Sequence, residues 1–102
     1  MAQITKDMAA ARLANVTEEK RFWVNDGRYI NNLDELKSAF ESMTDDTYAY
    51  HCNENKSDFA KWVDECIGDN KLAADLKKSS TRAAAVKAVS ARVKFLKVKV
   101  GF

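Results

Sequence analysis

The sequence predicts a small α+β domain that is mainly α, with four or five helices, one short β-hairpin and a long basic C-terminal helix. Three observations predict it. The 102 residues include no proline and three glycines, Gly27, Gly68 and Gly101, so long helices joined by short, tight connections are expected. After Asn32, apolar residues recur mostly at spacings of three and four, the period of one helix face. Between Phe22 and Ile30 that period gives way to two short runs rich in aromatic and β-branched residues around Asn25-Asp26-Gly27, the strongest hairpin signal in the chain. Hydrophobic residues at 46% and charged ones at 31% suit one globular domain with a modest core.

In chain order, Thr5 is placed to cap a short helix through Met8, Ala11 and Leu13, with Asp7 near its positive end. Phe22-Trp23-Val24 and Arg28-Tyr29-Ile30 form the hairpin. Two strands alone are marginal in water, so it must lie on helices or gain a third strand. Asn32 caps the next helix, and Glu35 can return a hydrogen bond in a capping box. Leu33, Leu36, Phe40 and Met43 make its apolar stripe, leaving Asp34, Lys37 and Glu41 to solvent. Thr44-Asp45-Asp46 opens a short helix carrying Tyr48, Tyr50, His51 and Cys52, which Asn53-Glu54-Asn55-Lys56 interrupts. Ser57-Asp58 starts the clearest helix, in which Phe59, Trp62, Val63, Cys66 and Ile67 form a wide apolar face before Gly68 stops it.

Asp69 or Asn70 begins a further turn or two holding Leu72, Ala73 and Leu76, and Ser79, Ser80 or Thr81 caps the last helix. There Val86, Val89, Val93, Leu96 and Val100 form a heptad-like seam. At about 100° per residue, Lys87, Lys94 and Lys97 fall on one flank of it and Arg92 and Lys99 on the other. Lys97-Val98-Lys99-Val100 also alternates as a strand would, so the tail can alternatively join the hairpin as a third strand.

Charge divides the chain further. Residues 1–76 read as a compact acidic domain and residues 77–102 as a basic helical arm packed on it or extending from it, a single domain overall. Leu33 to Asp69 holds ten acidic residues against three basic ones, whereas Leu76 to Phe102 holds eight basic residues and no acidic one. The net charge of +2 is therefore a cancellation. Like charge gathered on one element repels itself unless something anionic lies against it.

Three readings of the arm follow. As a nucleic-acid contact, Lys77, Lys78, Arg82, Lys87, Arg92, Lys94, Lys97 and Lys99 neutralise phosphates without base specificity. As an assembly element, the valine seam meets a copy of itself, though about two heptads are short for an autonomous coiled coil. As a structural helix, the seam packs on the body and the lysines are simply wet. The expected function is a non-enzymatic binding protein that contacts RNA, such as a ribosomal surface, or DNA through the arm. The alternative is a protein-interaction or self-association module using the acidic body and the seam.

Other chemistries find little support. His51, Cys52 and Cys66 are the soft metal ligands, and paired Cys-x-x-Cys spacing is absent, so no metal, cofactor or catalytic residue is expected. There is no glycine-rich phosphate loop and no calcium loop. Asp45, Asp46, Glu54, Asp64, Glu65 and Asp69 are expected to be solvated, or to form a docking face for the arm. Tyr48, Tyr50 and His51 beside Asp58 make either a polar pocket or, more simply, a packed cluster whose polar atoms are satisfied by backbone or Asp58. Phe22, Trp23 and Tyr29 are expected in the core. No apolar run suits a signal peptide or a membrane span. A cytoplasmic protein with reduced, buried cysteines is the resulting expectation, with neither a membrane nor a small-molecule substrate as partner.

Several segments from Phe22 to about Leu76 also form a pattern: Phe22-Trp23-Val24-Asn25-Asp26-Gly27, Leu33-Asp34-Glu35-Leu36, Tyr50-His51, Asp58-Phe59-Ala60-Lys61-Trp62-Val63 and Gly68-Asp69-Asn70-Lys71-Leu72-Ala73. This pattern resembles an uncharacterised archaeal and bacterial domain family labelled only as a domain of unknown function. That family's run usually begins Asn-Asp-Phe-Ala, where Ser57 stands here in place of the Asn. Both residues cap helices, but the change weakens the idea of a ligand-binding amide. The resemblance covers about half the chain, leaves out the basic arm, and implies a compact domain without an established activity.

Overall fold

The computed structural model describes residues 4–101. Helix α1 (Lys6–Leu13) starts where the Thr5 hydroxyl accepts from the Met8 N–H. A 3-10 turn at Glu18–Lys20 leads into β1 (Phe22–Trp23), which pairs antiparallel with β2 (Tyr29–Ile30). Gly27, at φ 99°, supplies the positive-φ position of the connecting turn. Because side chains alternate along a strand, the paired Phe22 and Ile30 are buried while the paired Trp23 and Tyr29 face outward.

In α2 (Leu33–Ser42) the Asn32 side chain caps as expected, accepting from the Glu35 N–H at 2.8 Å. The Glu35 carboxylate returns one residue earlier than a capping box requires, accepting from the Asn31 N–H at 2.7 Å. Leu33, Leu36, Phe40 and Met43 are all buried. Thr44 caps α3 (Asp45–His51). The interruption after it is a second small hairpin, β3 (Cys52–Asn53) with β4 (Lys56–Ser57). Its tip is held by the Asn53 side chain, which accepts from the Asn55 N–H at 2.9 Å.

Ser57 caps α4 (Asp58–Trp62), which runs directly into a π turn at Val63–Ile67. Gly68, at φ 83°, ends it by donating its N–H to the Val63 carbonyl. Helices α5 (Asn70–Lys77) and α6 (Arg82–Val100) follow, capped by Asp69 and Thr81. Six α-helices are thus present among the described residues, the eight-residue α5 being the turn or two expected after Asp69.

Helix α6 packs on α1, α2 and α5. It runs antiparallel to α2, since Arg82 reaches the Phe40 carbonyl while Lys97 reaches Asp34. Ala85, Val89, Val93 and Leu96 are buried, with Val86 and Val100 packed at the edges of the same core. The seam is therefore one wall of the chain's own core, and residues 77–101 are continuous with the body. The tail adds no third strand to the first hairpin: helix continues to Val100, since a switch to strand at Lys97 would pull Val100 away from that wall.

Beneath the hairpin, Phe59 sits among Phe22, Phe40 and Tyr48 at ring-centroid distances of 4.9, 4.8 and 5.8 Å, the range in which aromatic pairs attract. The Trp62 indole N–H donates to the Lys20 carbonyl at 2.6 Å and ties the 3-10 turn to this cluster. Among the described residues, no helix is long and apolar enough to cross a membrane.

Candidate nucleic-acid interface on the C-terminal helix

Three of the eight cations predicted for the arm pair with carboxylates of the body. Arg82 donates from Nε to Asp45 at 2.9 Å and from Nη1 to the Phe40 carbonyl at 2.8 Å. That places a cation at the negative end of α2, where unpaired carbonyls gather. Lys97 donates to Asp34 at 3.0 Å near the start of α2. Arg92 makes a two-pronged contact with Asp69, Nε to Oδ2 at 2.7 Å and Nη2 to Oδ1 at 3.1 Å.

Asp69 departs from the expectation of solvated carboxylates, which Asp45, Asp46, Glu54, Asp64 and Glu65 meet, and with Asp45 it fits the other expectation, a docking face for the arm. It is fully buried, and its Oδ1 also caps α5 by accepting from the Leu72 N–H at 3.1 Å. The Arg12 Nη1 lies 3.7 Å away on the other side and has no hydrogen bond of its own. One carboxylate thus joins α1, α5 and α6. Its capping role was visible in the sequence, whereas its burial depends on arginines far away in the chain.

Lys77, Lys78, Lys87, Lys94 and Lys99 are exposed and make no ion pair among the described residues. They do not form one row. By helix geometry Lys87 and Lys94 lie about 20° apart on the outward line of α6, and Lys99 about 140° from Lys94. Lys99 instead sits with Arg92 around the Phe95 ring. Lys77 and Lys78 lie at the end of α5, where Lys77 lines an open cleft with Lys56, Lys61, Asp64 and Glu65. A second groove, of 420 Å³, opens between α2 and α6, and Lys37 lines it together with Lys94 and Lys97. Lys37 did not enter the predicted site because it belongs to the acidic stretch of the chain.

The cluster around His51 is a tie between elements. The Asn25 N–H donates to Nε2 at 3.0 Å, so the proton of the neutral ring sits on Nδ1 and is donated to Asp58 Oδ2 at 3.0 Å. Lys56 shares that carboxylate at 3.1 Å. Both ring nitrogens are committed, and the buried imidazole pins the first hairpin to the start of α4. The Tyr48 hydroxyl donates to the Ser79 carbonyl at 2.7 Å, and burial raises its phenol above the ordinary 10.0. At the hairpin turn, burial pushes the Asp26 carboxyl up, but hydrogen bonds and charge from Arg28 outweigh this and hold it below the usual 3.8.

Packing of Tyr48 and His51 matches the simpler expectation. Tyr50, Trp23 and Tyr29 differ from it, being 52%, 48% and 51% exposed. The two hairpin residues are on the outward side of a two-residue ladder, so only Phe22 of the three expected core aromatics is inside. The two cysteines are free and only partly buried. Among the described residues, no three His, Cys, Asp or Glu side chains are grouped to hold a metal ion. No protein-family model, curated protein or solved structure matches the chain.

Proposed function

We propose that this chain is a non-enzymatic binding protein that contacts the phosphate backbone of RNA or DNA through its C-terminal helix. One observation carries the reading: α6 contains no acidic residue, is fixed to the body by its seam, Arg82, Arg92 and Lys97, and still leaves Lys87, Lys94 and Lys99 exposed and unpaired among the described residues. A docked helix presents its charge in a fixed geometry, which lowers the ordering cost of binding. Assembly through the seam would require α6 to leave the core, so that alternative is less favoured.

The family-like motif fits a packing role. Phe22, His51, Phe59 and Trp62 meet in one aromatic cluster, with Asn25 and Asp58 holding the imidazole. A cytoplasmic setting with both thiols reduced is part of the same proposal.

The test is a gel shift with RNA and DNA at about 50 mM salt, repeated at about 200 mM, where a backbone contact weakens steeply. Charge must be removed by Lys→Gln substitution, because deleting the helix would delete a wall of the core. A shift at low salt that fades at high salt and is lost in a Lys87→Gln/Lys94→Gln/Lys99→Gln variant supports the proposal. Absence of any shift at low salt refutes it.

A further inference from the structure

We infer that the groove between α2 and α6 is the seat of a single nucleic-acid strand, and that Lys37 of the otherwise acidic body is one of its phosphate contacts. The inference rests on the reading just given and assigns it a place. Lys37, Lys94 and Lys97 line this 420 Å³ groove against one carboxylate, Asp34, which Lys97 already engages. Lys37 and Lys94 make no ion pair among the described residues, so the groove carries net positive charge that is not neutralised from within. Lys87 stands about 10 Å from Lys94 along the same line of α6 and extends the cationic track.

The groove also has an apolar side, the 65% exposed Val98, with the buried Val93 beneath it. Phosphates alone would gain nothing from those methyl groups. An open strand brings sugar carbons and base faces beside each phosphate, so it can use both the ammonium groups and Val98, whereas a duplex turns its bases inward. Lys77, Lys78 and Lys99, which the charge count grouped with Lys94, lie outside the groove.

The experiment is fluorescence anisotropy of the full chain with a labelled oligouridine of about 20 nucleotides over a salt series, with a duplex of equal length alongside. Each phosphate contact on a single strand contributes about 0.7 to the slope of log affinity against log salt. Lys37→Gln and Lys94→Gln are each expected to lower that slope by about 0.7, whereas Lys78→Gln leaves it unchanged. Val98→Ser is expected to weaken binding at every salt concentration without changing the slope. Thermal melts establish that these surface variants are folded.

If the wild-type chain binds while Lys37→Gln keeps the wild-type slope, the groove assignment is overturned and the broader arm reading stands. Tighter binding of the duplex also overturns the single-strand seat. No binding of either probe overturns both.

Discussion

Replacing Asp69 by asparagine tests the buried junction most directly. Asparagine keeps the size and the helix cap but removes the charge that Arg92 grips from two nitrogens and Arg12 approaches at 3.7 Å. Asp69 is fully buried and the arginine side chains are only 13% and 14% exposed, so water replaces little of what is lost. Removing one partner of a buried pair costs about 3–5 kcal/mol, because the remaining charge is left uncompensated. Asp69→Ala should cost about 1 kcal/mol more, the usual value of a cap. For a domain of this size the asparagine variant should melt at least about 12 °C below wild type.

Urea unfolding followed by tryptophan fluorescence, with Trp62 buried beside Phe22, supplies the free energies. The double variant Asp69→Asn/Arg92→Met should be less destabilised than the two single losses added together, since it removes both ends of the pair. A loss below about 1 kcal/mol for Asp69→Asn, in the range of exposed pairs, would refute the buried-junction reasoning.

Three further outcomes follow from the same geometry. Tyr48 holds its proton more tightly when folded than the ordinary 10.0, so its contribution is complete below that pH and lost as pH rises above it. Tyr48→Phe should lose about 1 kcal/mol near pH 8, and its stability gap to wild type should narrow by about pH 11 in paired urea titrations. His51→Phe strands the Asn25 N–H and one contact of Asp58. It should cost about 1–3 kcal/mol and speed hydrogen exchange at the Asn25 amide, whereas unchanged exchange would deny the tie. Gly68→Ala should cost about 1 kcal/mol in thermal melts through its φ of 83° alone, because no atom lies within 4 Å of the added carbon.

Local chemistry made much of this fold legible. Thr5, Asn32, Thr44, Ser57, Asp69 and Thr81 cap the helices whose starts they mark. The stripe of α2 and the seam of α6 are buried as their spacing implies. Features depending on distant partners were not legible. Asp69 lies within an acidic stretch, and only folding brings Arg12 and Arg92 to it. Lys37 belongs to that same stretch but faces the groove against α6. Trp23 and Tyr29 have core-like chemistry, yet a two-residue ladder buries one side only. The π turn has no local signature beyond Gly68, which records where a helix stops and not how it is wound.

The position of α6 also sets an order of events. It follows α1, α2 and α5 in the chain, and the faces of those helices that it covers have no cover of their own until it arrives. Folding from the N-terminus during synthesis is the usual course for domains that complete early. Here the growing chain makes its helices in sequence but closes its interior only when Val89, Val93 and Leu96 have emerged. A chain cut before α6 therefore carries an open core, and the hydrophobic faces of α1, α2 and α5 stay exposed to water until this helix docks on them.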